Sequence, residues 1–217
     1  MDIVTDILFI ALATAVINNL VLTYFVGICP FLGVSRRIDT AFGMGCAVTF
    51  VITMAGTASW LVSHFALLPN SALVNAINAL AGGGGKAVDD LLFLQYIIFI
   101  FVIAGMVQLV EMYIRRFAPA LYRALGVYLP LITTNCCILF ACLTIAKDAK
   151  LTDSFLFTMV YSFFGGIGFT LAIVLMAGVR EQLEAADIPE PIKGAGITLV
   201  TAGLMALAFT GFKGMAG

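Results

Sequence analysis

The 217-residue chain is 62% hydrophobic and 11% charged, with a mean hydropathy of +1.12 and a formal net charge of −1. A water-soluble domain of this length carries about 25% charged residues, so there is too little polar surface here to clothe a globule, and lipid is the solvent. The near-neutral balance, with no basic stripe, excludes nucleic acid as a partner.

Crossing about 30 Å of hydrocarbon takes about 20 apolar residues in a helix. Six stretches meet or approach that length: Ile7–Val34, Thr40–Leu61, Leu91–Ile114, Leu121–Ile145, Ser154–Val179 and Gly194–Phe212. They predict an all-α integral membrane protein of six transmembrane helices, with residues 1–217 forming one transmembrane domain. Ahead of the first, Met1-Asp2-Ile3-Val4-Thr5-Asp6 is acidic where a signal peptide is basic, so the first run is expected to be a retained span. That run is too long: a helix over Ile7–Val34 would measure about 42 Å at about 1.5 Å per residue. It either tilts steeply or is interrupted.

Lys and Arg set the orientation. With the N-terminus outside, the inner loops collect Arg36, Arg37, Arg115, Arg116, Arg123, Arg180 and Lys193, and the outer ones Lys86, Lys147, Lys150 and Lys213. Both termini are therefore expected on the non-cytoplasmic side. The one long connection, 67–90, holds Gly82-Gly83-Gly84-Gly85, which cannot sustain a helix and reads as an exterior loop.

The chain carries a faint internal repeat. Phe42-Gly43…Met54-Ala55-Gly56 matches Phe164-Gly165…Met176-Ala177-Gly178 at a constant offset of 122. A duplicated unit of three spans must place its copies in opposite orientations. Two inverted three-helix repeats, about 1–116 and 117–217, are therefore expected, with a working site near the midplane where helices are broken.

Two segments could carry chemistry. In Gly27-Ile28-Cys29-Pro30-Phe31-Leu32-Gly33, Pro30 lacks an N–H and disfavours helix at Cys29, and the glycines loosen the backbone on both sides. The motif is either a proline kink with a packing cysteine or a break in helix 1 whose free amides suit an anion. In Tyr128-Leu129-Pro130-Leu131-Ile132-Thr133-Thr134-Asn135-Cys136-Cys137, a proline again interrupts a span, the fourth, and Thr133, Thr134 and Asn135 are polar groups that lipid does not tolerate unpaired. A polar helix contact is the alternative reading there. Inverted symmetry would bring Cys29 and Cys136 to one level. Two thiolates do not complete a metal site of four ligands, so any cluster would take its other ligands from a second chain. Among other polar residues, Asn18-Asn19 need partners in a lipid span. Glu111 fits a helical ion pair with Arg115, and His64 beside Trp60 reads as an interface belt.

The stretches Val21-Leu22, Phe25-Val26-Gly27-Ile28-Cys29-Pro30-Phe31-Leu32-Gly33-Val34-Ser35-Arg36-Arg37, Pro119-Ala120-Leu121-Tyr122-Arg123, Leu129-Pro130-Leu131-Ile132-Thr133-Thr134-Asn135-Cys136, Val179-Arg180-Glu181 and Ile197–Leu207 resemble the Rnf family of ion-translocating electron-transport subunits, in the wording of its A-type member. The resemblance covers nearly the whole chain. It implies a bacterial cytoplasmic (inner) membrane component of a ferredoxin:NAD⁺ oxidoreductase, inactive alone. Cys29 and Cys136 would each give a thiolate to the iron of a [2Fe–2S] cluster shared with the pseudo-symmetric Rnf E subunit. The Rnf B, C, D and G subunits would be the further partners, and Na⁺ or H⁺ the translocated ion. A midplane centre would divide the hydrocarbon into two electron steps of about 15 Å. Cys46, Cys137 and Cys142 match no ligand position. The E subunit of the Na⁺-translocating NADH:quinone reductase, and a small-solute transporter with inverted repeats, are the competing readings.

Overall fold

A computed structural model describes residues 3–66, 97, 100–109, 112, 115–116, 131–132, 134–148, 151, 154–184, 186, 189 and 193–215. The Gly-rich connection, Pro130 and Glu111 lie outside the described residues. Helices α1 (Ile3–Leu12), α2 (Leu20–Tyr24), α3 (Ile28–Val34), α4 (Ile38–Ala66), α5 (Ile100–Leu109), α6 (Cys136–Lys147), α7 (Phe155–Glu184) and α8 (Ala195–Met215) account for most of them. Among the described residues, two helices are long and apolar enough to cross a membrane: α4 over Ile38–Val62, and α7.

The first apolar run is interrupted twice. After α1 a π-helical turn, Ala13–Ile17, leads into a break at Asn18-Asn19. The chain restarts as α2, leaves it through Phe25 at φ 54° and Gly27 at φ 85°, and restarts again as α3. Pro30 is not the breaker that the sequence makes it. Pro30 and Cys29 both lie in the first turn of α3, where the N–H that proline lacks has no intrahelical acceptor anyway. The break falls at Phe25 and at Gly27, the first residue of the motif, where the backbone is left-handed.

Helices α4 and α7 form the central pair. Their closest approach is made by Gly45 against Thr170 and Gly166 against Thr49, with Thr49 Oγ1 and Thr170 Oγ1 hydrogen-bonded at 3.1 Å. Farther along, Gly56 lies against Ser162. Partners descend on α7 as they ascend on α4, so the two helices run antiparallel. Small residues let the backbones meet, which is how helices associate where lipid supplies no hydrophobic drive. The crossing pairs Gly45 with Gly166 and Thr49 with Thr170 as equivalents, an offset of 121, one residue from the 122 of the sequence match. The identities at 122 include Gly43 and Gly178, which face open space. The crossing register is set by the small face alone.

A methyl group on Gly166 would stand 2.6 Å from the Thr49 Cα, a backbone atom that no rotamer change can clear. Gly166→Ala is therefore expected to destabilise the chain by about 1–3 kcal/mol. Gly178→Ala, with nothing within 4 Å, should be neutral or gain up to about 1 kcal/mol from helix propensity. Thermal unfolding in detergent checks this, and equal midpoints for the two variants would refute this crossing.

Candidate functional site

Asparagine restarts the helix at α2 and at α6, whereas α3 restarts at Gly27 without a side-chain cap. Asn19 is fully buried and N-caps α2: its Oδ1 accepts from the Val21 and Leu22 N–H groups at 3.0 and 3.3 Å. Its Nδ2 donates to the Ala15 carbonyl at 3.2 Å and, across to α7, to the Gly168 carbonyl at 2.7 Å. Asn135 N-caps α6, its Oδ1 accepting from the Cys137 N–H at 3.0 Å. A side-chain oxygen on the first free amides is what a helix start lacks once water is excluded. The Asn135 Nδ2 is buried and makes no hydrogen bond among the described residues, which leaves one donor uncommitted beside the start of α6.

The α2–α3 crossing meets the start of α6. Gly27, in the left-handed crossing from α2 to α3, donates its N–H to the Cys136 sulfur at 3.0 Å. Its Cα faces Cys137, the Phe169 ring of α7 and the Asn135 side chain so closely that an added Cβ would lie 3.1, 3.1 and 3.3 Å from them. Cys136 opens α6, and Cys29 follows Gly27 by two residues in the first turn of α3. The structure thus brings together the two segments singled out in the sequence.

The cysteines divide by exposure. Cys29 and Cys136 are exposed on the outside of the chain, whereas Cys137 and Cys142 are wholly buried in the core. Adjacent residues on a helix point about 100° apart, so Cys136 and Cys137 cannot both face the core. Cys46 is exposed too, but on α4, in an apolar groove with Phe42, Thr49 and Phe50.

A [2Fe–2S] cluster needs four thiolate ligands, or histidine in place of some. Among the described residues no group of three or more His, Cys, Asp or Glu side chains comes together, so Cys29 and Cys136 would need ligands from beyond those residues to hold such a group. Their outward exposure fits sharing with a second chain. The amide donated to Cys136 fits a sulfur that carries negative charge.

At the C-terminal end of α7, the Val179-Arg180-Glu181 stretch ties the broken run to that helix. Arg180 Nη1 donates to the Leu32 carbonyl at 2.8 Å and to Ser35 Oγ at 2.9 Å, and Glu181 Oε1 accepts the Ile38 N–H at 3.0 Å. The arginine satisfies the end of α3 and the glutamate the start of α4, each with the charge that suits that helix terminus. The caps at Asn19 and Asn135 and this clamp do not follow from the sequence reading. An Asn immediately before an apolar run is the available signal for the caps. Near the C-terminal end of α4, Trp60 and His64 stack with ring centroids 5.0 Å apart.

The family model described as "Rnf-Nqr subunit, membrane protein" matches residues 7–216. The chain is 47% identical to the A-type component of the ion-translocating oxidoreductase complex of Erwinia tasmaniensis, over 97% of this chain and 98% of that protein. It is 45% identical to the counterpart from Proteus mirabilis, over 97% and 98%, and 44% identical to that from Actinobacillus pleuropneumoniae, over 97% of each. Matched from residue 7 to residue 216, the chain belongs to the Rnf-Nqr family of membrane subunits.

Proposed function

We propose that this chain is the A-type membrane component of an ion-translocating, Rnf-type ferredoxin:NAD⁺ oxidoreductase, and that Cys29 and Cys136 hold half of a [2Fe–2S] cluster within the bilayer. The observation that carries the reading is the Gly27 N–H on the Cys136 sulfur, which joins two cysteine-bearing segments 107 residues apart in the sequence. Likeness to proteins named as the A-type component of an ion-translocating oxidoreductase complex supports the assignment to such a complex. When bound, the cluster supplies a one-electron relay part-way across the hydrocarbon.

The chain's own residues do the rest. Cys29 and Cys136 offer thiolates from the starts of two half-helices, and Asn19 and Asn135 cap the restarts of α2 and α6 so that the breaks persist in lipid. Phe169, Cys137 and Ile138, all fully buried, back the site with apolar bulk and keep water from its inner side. The remaining thiolates come from a pseudo-symmetric partner of the E type, with further Rnf subunits on either face. Translocation of Na⁺ or H⁺ is the work of the whole complex. Purified complex should contain iron and acid-labile sulfide that stay with the A-type and E-type pair when the other subunits are stripped away. An iron-free pair would defeat the proposal.

The six-span arrangement as two inverted halves is part of this reading, and the antiparallel α4–α7 crossing supports it. Both termini then face away from the cytoplasm of a bacterial inner membrane. A phosphatase fused after Gly217 should be active and a fluorescent reporter there dark, with the opposite result for fusions beside Arg36-Arg37. A fluorescent C-terminal fusion would overturn this orientation.

A further inference from the structure

We infer that Gly27 is a positioning residue that sets the reduction potential of the centre held by Cys136, through the N–H that it donates to the Cys136 sulfur. This rests on the cluster reading above and adds to it a determinant that is not a ligand. The N–H reaches the sulfur at 3.0 Å only because the chain passes residue 27 at φ 85°, a conformation that side-chain-bearing residues rarely adopt. The same crossing is wedged on three sides, by the Cys137 Cβ, the Phe169 ring and Asn135 Oδ1. Asn135 is in turn held by its bond to the Cys137 N–H, so the donor and the start of α6 are fixed against each other.

Hydrogen bonds to ligand sulfurs are among the determinants of iron–sulfur potentials. An added electron raises the negative charge on sulfur and strengthens a donated N–H bond, so the Gly27 amide favours the reduced state. Any side chain at 27 both strains the backbone and meets the three neighbours, and the amide must swing away from the sulfur. Loss of one charge-assisted bond is expected to lower the ratio of reduced to oxidised cluster at fixed ambient potential about tenfold, equivalent to about 59 mV for one electron.

The test is an EPR-monitored redox titration of the intact purified complex carrying Gly27→Ala, with Gly178→Ala as control. A midpoint moved to more negative potential in Gly27→Ala alone supports the inference. A retained cluster with an unmoved midpoint overturns it. Should Gly27→Ala fail to assemble, the wild-type complex decides. After growth on ¹⁵N-glycine, pulsed EPR of the reduced cluster should show a ¹⁵N coupling from a glycine amide and an exchangeable proton of the same bond. Absence of that coupling overturns the inference while leaving the cluster in place. Absence of any reduced-cluster signal in the wild type instead defeats the underlying reading, so the two failures are distinct.

Discussion

Replacing Asn19 with leucine, a side chain of similar size, should lower the stability of the chain by about 4 kcal/mol, the cost of stranding two buried backbone amides at about 1–3 kcal/mol each. The Val21 and Leu22 amides lose their acceptor, and the Ala15 and Gly168 carbonyls lose the side-chain donor that Asn19 gives them. No water replaces them, because the side chain is fully buried between the π-helical turn and α7. The approach of α7 is close enough that a Cβ on Gly168 would stand 2.8 Å from the Ala15 carbonyl oxygen. Asn19→Asp is expected to fall between: it keeps the cap on α2 but sets a carboxylate against two carbonyls. Asn18→Ala, at a half-buried position whose main role is its own amide bond to the Ala13 carbonyl at 2.6 Å, should cost under about 0.5 kcal/mol. Chaotrope or thermal unfolding in detergent separates the three. Equal losses for Asn18 and Asn19 variants would contradict the role given to the second asparagine.

The contrast between Asn18 and Asn19 marks where the sequence stops being legible. Long apolar stretches with charged ends announce themselves by composition, and the expected Ser154–Val179 and Gly194–Phe212 correspond to α7 and α8 within a few residues. The excess length of Ile7–Val34 announces an interruption. Its place does not follow from local propensity, because Pro30 is harmless in a first helical turn and the decisive partner of Asn19 is a carbonyl 149 residues away. Glycine is legible only as freedom. Nothing local distinguishes Gly166, pressed on the Thr49 backbone, from Gly178 in open space. The cysteines show the same divide. Their company with proline draws notice to Cys29 and Cys136, but the contact between the segments, through Gly27, is a product of tertiary packing.

On the proposed assignment, serine in place of Cys29 or Cys136 is expected to abolish the cluster altogether, the largest effect anticipated in the chain, since oxygen is a poor substitute for thiolate sulfur at iron. Ferredoxin-driven NAD⁺ reduction by the complex should fall with it. Cys137→Ser and Cys142→Ser place a hydroxyl in the buried core and should cost about 1–3 kcal/mol of stability without removing the centre. Cys46→Ser, in the exposed apolar groove on α4, should leave the centre intact as well. The direct measurement is the reduced-state EPR signal of the purified complex across the five single serine variants. The proposal predicts its loss in Cys29→Ser and Cys136→Ser and its retention in the other three; a signal that survives in both Cys29→Ser and Cys136→Ser would contradict it.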